Sequence, residues 1–215
     1  CGRCTPVRHG RAMASTDKAR FFDDLAGTWD ARHDLASLGG ELAASLDELA
    51  VGRHETVLDV GCGTGNLTRA LVERLALTAR VVAVDLAPGM VVAARRKVPG
   101  SRVQWQVADA AWLPLPTDAF DRVLCFSVWP HFDDPAATAH ELARVLRRRG
   151  RLDVWHLASR ARINEIHATA PAPVRCDLLA PGAETAALLA TAGLPTTRVV
   201  DDDSPYLDSA VKGDH

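Results

Sequence analysis

The stretch Val57–Asn66, "VLDVGCGTGN", constrains this chain more than any other. Val57, Leu58 and Val60 surround the acid Asp59, and Gly61, Gly63 and Gly65 then alternate with Cys62 and Thr64. A short apolar run broken by repeated glycine reads as a buried strand followed by a tight turn. Leu67, Leu71 and Leu75 recur every four residues behind it, which predicts a helix. Strand, glycine turn and helix make the first half of a crossover, and crossovers build parallel sheets covered on both faces.

The same alternation continues. Strands are expected at 80–84, 103–107, 121–126 and 152–155, with helices at 67–75, 88–97, 136–148, 163–169 and 184–192. Pro88 suits a first helical turn. Residues 197–201 and 206–211 read as two strands with a short connection, hence an antiparallel pair. Upstream, Ser15, Thr16 and Asp17 offer helix N-caps, and Phe21, Phe22, Leu25 and Trp29 follow as one apolar stripe. A second helix carries Leu42, Leu46 and Leu49. The expected fold is α/β: a Rossmann-like, seven-stranded, mostly parallel sheet with an antiparallel last strand, helices on both faces and an N-terminal helical lid. The expected organisation is a disordered leader over 1–13, the lid over 14–52 and the core over 53–215.

Charge excludes some partners. Lys and Arg number 25 against 27 Asp and Glu, a net charge of -2, so nothing argues for nucleic acid or a membrane surface. No apolar run approaches a membrane span. Five cysteines (Cys1, Cys4, Cys62, Cys125 and Cys176) are odd in number and scattered, which suggests a reducing, cytoplasmic setting rather than a disulfide framework. Cys1 and Cys4 form a lone CxxC without a matching second pair of metal ligands. Cys62 reads as a loop filler and Cys125 as core.

A doubly wound sheet takes its ligand beyond the carboxyl ends of its strands. The spacing GxGxG is not the dinucleotide fingerprint GxGxxG, because Asn66 stands where the last glycine belongs. No Gly-Lys-Ser/Thr follows, so this is not a phosphate loop either. A ligand with ribose and adenine but no phosphates fits better. Asp85, ending the second strand, can accept from ribose hydroxyls. Asp109, after the third, can accept from an adenine amine, with the Ala110 N–H meeting a ring nitrogen.

The segments "VLDVGCGTGNLTRAL", "VVAVDLAPGM", "VADAAWLPLPTDAFDRVLC" and "ELARVLRRRGRL" resemble the successive signatures of class I S-adenosylmethionine-dependent methyltransferases, most of all the UbiE-like small-molecule group. The resemblance covers roughly residues 20–157. It implies S-adenosylmethionine as cofactor and S-adenosylhomocysteine as product. It places Asp59, Gly61, Cys62, Gly63 and Gly65 on the methionine part, Asp85 on the ribose, and Leu86, Asp109 and Ala110 on the adenine. Ser127, ending the fourth strand, joins this set. The implied reaction is methyl transfer by in-line displacement to an O, N, S or C atom.

The acceptor is expected over the ends of the fourth and fifth strands, "FSVWPHFDD" and "VWHLASR". His131 is the first candidate base or anchor, and His156 the second. Arg160, Asn164 and His167 share one helical face that could meet a polar acceptor. Phe22 and Trp29 would face the ligands from the lid. Asp133, Asp134, Cys176 and Asp177 leave a metal-assisted O-methyltransferase open, although no metal is expected. A non-catalytic S-adenosylmethionine-binding module is the other alternative. The DNA-type Asn/Asp-Pro-Pro turn and the paired glutamates of arginine-directed enzymes are both missing after the fourth strand. A small-molecule acceptor remains, with the protein a monomer or homodimer.

Overall fold

The structure, a computed structural model, describes residues 11–214, with side chains from residue 16. The Cys1–Cys4 motif lies outside the described residues. In chain order the elements are α1 (Arg11–Leu25), a 3-10 turn at Asp30–Arg32, α2 (Leu35–Glu48), β1 (Val57–Val60), α3 (Asn66–Arg74), β2 (Val81–Asp85), α4 (Pro88–Lys97) and β3 (Val103–Val107). There follow β4 (Phe120–Phe126), a 3-10 turn at Trp129–His131, α5 (Pro135–Val145), β5 (Leu146–Trp155), α6 (Arg160–Thr169), α7 (Gly182–Thr191), β6 (Thr196–Val200) and β7 (Leu207–Val211).

The sheet order is β3-β2-β1-β4-β5-β7-β6. β1 pairs in parallel with both β2 and β4, while β7 runs antiparallel to its neighbours β5 and β6. The direction of strand progression therefore reverses between β1 and β4. Their carboxyl ends border the crevice where such a sheet receives a ligand.

Strand alternation divides the interior. Leu58, Val60, Val82, Val84, Val123 and Cys125 pack on one face with Leu142 of α5 and Leu189 of α7. Val57, Val81, Ala83 and Leu124 pack on the other with Leu42 and Leu46 of α2 and Leu67 and Leu71 of α3. Five charged side chains are also buried: Lys18, Asp59, Arg122, Asp153 and Asp208. Arg122 ion-pairs with Asp153 at 2.7 Å and Glu55 at 3.0 Å, and donates to the carbonyls of Leu49 and Ala50. The C-terminal end of α2 is thereby tied to the sheet.

Several boundaries differ from the sequence reading. α1 begins at Arg11, so Ser15, Thr16 and Asp17 lie inside it rather than at its N-cap. Asp34 caps α2 instead, accepting from Ala36 N and Ser37 N. Residues 146–148 belong to β5, not to the preceding helix. Leu146 pairs with Phe120, and Arg122 opposes Arg151, so an irregularity takes up the extra residues. Helical spacing alone could not reveal a strand that starts directly at a helix end. Cys176 is disulfide-bonded, contrary to the reduced-cysteine expectation.

Candidate active site

The turn after β1 answers why its glycines alternate. Gly61 has φ +68°, and a Cβ there would lie 2.2 Å from Val128 Cγ2. Gly65 has φ +83°, and a Cβ would lie 3.0 Å from the Ala94 Cβ of α4. Both are bare because the protein's own elements press against them. Gly63 differs: with φ +51° its Cβ would meet nothing within 4 Å. Main chain is thus presented to open space at Gly63.

That space is one cavity at the carboxyl ends of β1, β2 and β4. Its lining includes Asp59, Gly61, Cys62, Gly63, Asp85, Leu86, Met90, Asp109, Ala110, Phe126, Ser127 and His131. Phe22, Trp29 and Lys18 reach it from the N-terminal segment. Asp59 is fully buried. Its Oδ2 accepts from Thr68 Oγ1 at 2.5 Å, while Oδ1 has no partner. Burial raises its pKa to about 7, against the Thr68 hydrogen bond and with help from the Asp85 charge. Asp85 Oδ2 accepts from Gly63 N at 2.8 Å and Oδ1 from Ala87 N at 2.9 Å. Burial raises this carboxyl to about 6, although both hydrogen bonds pull it down. Asp109 turns its own loop, accepting from Ala111 N at 2.9 Å. Ser127 holds φ +52°, uncommon for a residue with a side chain, and its N–H meets the Trp155 carbonyl at 2.9 Å. The Cys62 thiol is pushed well up, chiefly by burial, which makes it a poor nucleophile.

His131 and His167 come together at Asp177, and His156 lies apart. His131 lines the cavity from the turn after β4. Its Nδ1 lies 2.8 Å from Asp177 Oδ2, and burial draws its pKa below the usual value. His167 stacks 4.9 Å from it, with Nδ1 on the Asp177 carbonyl. His156 does not line this cavity. It is 2% exposed, neither ring nitrogen has a partner, and burial presses its pKa to about 3. It borders a separate cleft with Trp155 and Tyr206.

The Arg160/Asn164/His167 face is neither solvated nor aimed at a ligand. Arg160 pairs with Asp201 at 2.7 Å. Asn164 donates to the Leu179 carbonyl at 3.1 Å and accepts its N–H at 2.8 Å. The face therefore holds the loop between α6 and α7. The proposed metal donors are engaged elsewhere: Asp133 pairs with Lys18 at 2.7 Å, and Asp134 caps α5 through Ala137 N at 2.8 Å. Among the described residues no group of three or more His, Cys, Asp or Glu side chains could hold a metal.

Sequence reading overlooked the polar clasps of the N-terminal segment. Lys18 donates to the His131 carbonyl at 2.8 Å and pairs with Asp133 and with Asp177 at 3.0 Å. Asp23 accepts from Gly89 N at 2.6 Å. Asp30 meets Thr64 Oγ1 at 2.7 Å and Lys97 Nζ at 2.8 Å. One signal was available: Lys18 falls one turn before Phe22, on the apolar stripe rather than opposite it.

This sheet order, with the glycine turn after β1 and acids at the ends of β2 and β3, is that of a class I S-adenosylmethionine-dependent methyltransferase domain. Residues 58–154 match the family model described as a methyltransferase domain. The chain is 37% identical over 142 residues to malonyl-[acyl-carrier protein] O-methyltransferase of Hahella chejuensis, covering 66% of this chain and 50% of that protein. It is 38% identical over 139 residues to demethylmenaquinone methyltransferase of Thermus thermophilus, covering 62% and 63%. It thus spans between half and two thirds of these relatives' own length. A solved S-adenosylmethionine-dependent methyltransferase from Aquifex aeolicus shares the fold, with a TM-score of 0.66 at 21% identity over 83% of this chain and 98% of that one. S-adenosylmethionine is the cofactor of the class, and the site suits it. The orphan Asp59 Oδ1 can accept from an ammonium, and Leu86 and Met90 offer apolar surface beside Asp109.

Proposed function

We propose that the protein transfers a methyl group from S-adenosylmethionine to a small-molecule acceptor. One observation carries this reading: a single cavity joins the bare Gly63 main chain and the acids Asp59 and Asp85 to Phe22, Trp29 and His131. When bound, the cofactor supplies an electrophilic methyl group. Asp59 and the 61–65 turn hold its methionine part, Asp85 its ribose, and Leu86, Asp109 and Ala110 its adenine. The Asp85 carboxylate already gathers the Gly63 and Ala87 N–H groups, which fixes it at the end of β2. Phe22 and Trp29 enclose the acceptor side, and the segment holding them acts as the lid that keeps water out. Such enclosure and alignment can supply on the order of 7–11 kcal/mol of a barrier. His131 takes a proton where the acceptor has one to lose. His156, buried away from the cavity, takes no part in the chemistry, and His167 holds the 171–181 loop beside His131.

Calorimetry with S-adenosylhomocysteine tests the cofactor half. Asp85→Ala should weaken that binding by about 1.5–3 kcal/mol, the worth of hydrogen bonds to a charged group. Unchanged affinity removes Asp85 from the ribose. A panel of small-molecule acceptors, read by S-adenosylhomocysteine release, tests the transfer. Tight cofactor binding without turnover on any of them would instead favour a non-catalytic binding module.

A further inference from the structure

The loop between α6 and α7 delivers a carboxylate to His131. Asp177 Oδ2 lies 2.8 Å from His131 Nδ1, and its other oxygen pairs with Lys18 at 3.0 Å. Its side chain is only 10% exposed. The loop is held by α6: His167 Nδ1 on the Asp177 carbonyl, and Asn164 on both polar groups of the Leu179 main chain. Ser159 caps that helix through Arg162 N at 3.4 Å.

We propose that Asp177 is the positioning residue of a dyad with His131, fixing the imidazole as its Nδ1–H tautomer and leaving Nε2 to accept the proton of the methyl acceptor. The inference rests on the methyltransferase reading. In the step, the acceptor's O–H or N–H bond breaks as its bond to the methyl carbon forms. The methyl leaves the cofactor's sulfur, which keeps the electron pair. The proton ends on His131 Nε2 and passes to solvent after release. A carboxylate on the far ring nitrogen both orients an imidazole and stabilises the imidazolium that forms.

The surroundings of His131 suit this task. Asp177 faces it from the loop, His167 from α6 and Lys18 from α1, with Asp133 following on its own chain and His156 at the end of β5. Burial, His167 and Lys18 all disfavour the charged ring, and Asp177 opposes them. The ring is therefore neutral near pH 7 and free to take up a proton. Lys18 comes from the segment over the cavity, so closure of that segment weakens the hold of Asp177 on a proton-bearing ring.

A bland alternative gives Asp177 the single task of anchoring Lys18. The ¹⁵N spectra of the imidazoles, recorded on the whole chain with S-adenosylhomocysteine and assigned with His131→Gln, separate the two. The dyad requires the Nδ1–H tautomer in the wild type at pH 7.5. Asp177→Ala should abolish that preference and lower the ring's pKa by about one pH unit or more. Lys18→Met cuts the other ion pair but should keep the tautomer and raise the pKa. A wild-type ring carrying its proton on Nε2 overturns the proposal without any variant. So do matching spectra for Asp177→Ala and the wild type, or a loss of the tautomer in Lys18→Met equal to that in Asp177→Ala. Calorimetry reports separately on the reading beneath: wild-type protein that takes up no S-adenosylhomocysteine would fail that reading first.

Discussion

Asp59 shows how much one buried side chain can decide. Its carboxyl is raised to about 7, mainly by burial, and one of its oxygens has no partner. Below pH 7 the free protein therefore holds Asp59 largely protonated. A ligand ammonium at Oδ1 favours the carboxylate, so binding must release a proton there. S-adenosylhomocysteine affinity should fall as pH drops below 7, approaching about tenfold per pH unit if Asp59 alone is responsible. Asp85, raised to about 6, adds to the slope at lower pH. Calorimetry in buffers of different ionisation heat reads the released proton directly. Asp59→Asn should flatten the profile between pH 6 and 7, and an unaltered slope would remove Asp59 from the ammonium. The acid itself was legible in the sequence, because a charged residue inside an apolar strand needs a reason. The glycines beside it were only half legible. Gly61 and Gly65 are set by Val128 and Ala94, which lie 67 and 29 residues away in the chain, and no local pattern reports such an approach.

At the scale of elements, the segment from α1 to the Asp30–Arg32 turn is held by three polar clasps, at Lys18, Asp23 and Asp30. The Asp30 clasp is the one that touches the glycine turn. Asp30 accepts from Thr64 and Lys97, and Lys97 also donates to Asn66 at 2.7 Å. Hydrogen bonds to Lys97 and Thr64 hold the Asp30 carboxyl below its usual range, against partial burial. Asp30→Ala should loosen the lid and leave the sheet intact. The expected result is faster S-adenosylhomocysteine release, by roughly tenfold if the clasp is worth ~1.4 kcal/mol to closure. Stopped-flow displacement measures it, and a release rate equal to wild type would mean that the segment does not gate the cavity. Elements with a strong period were readable: α4 runs over 88–97 as its pattern predicts, and β3 over 103–107. The failures have physical causes. At 146–148 an inward-facing Leu and two long side chains suit a helix end and a strand start equally, and pairing to Phe120 decides. On α6, Arg160, Asn164 and His167 do share a face as spacing predicts. Their partners Asp201, Leu179 and Asp177 come from later loops, so a face that reads as ligand-binding is bonded to the protein itself.

Across the whole molecule, buried titratable groups set opposing pH trends. Asp59 and Asp208 are raised to about 7 and Asp85 to about 6. Each binds its proton more tightly folded than unfolded, where carboxyls titrate near 4. The stability they contribute is complete below about pH 4 and is lost as pH rises through 6 to 7. His156 works the other way. Lowered to about 3 against an unfolded value near 6.5, it costs stability in acid and ceases to do so above about 6.5. His131 is lowered in the same direction. The terms compete between pH 4 and 6.5, and only the carboxyls still change above that. Stability of the ligand-free protein should therefore decline from about pH 6.5 to 8. Asp208 is the group to alter, since it lies outside the cavity. Burial dominates its shift, the Tyr206 hydroxyl opposes it, and Asp201 adds to it. Asp208→Asn removes one carboxyl from the balance, keeps a side chain able to accept from Tyr206, and leaves the cofactor site untouched. Its melting temperature should fall less than that of the wild type across pH 6.5–8, as followed by calorimetric or circular-dichroism melts. Parallel curves for the two proteins would mean that Asp208 is already ionised in the fold, with the Tyr206 hydroxyl and Thr185 sufficient to hold its charge in the interior.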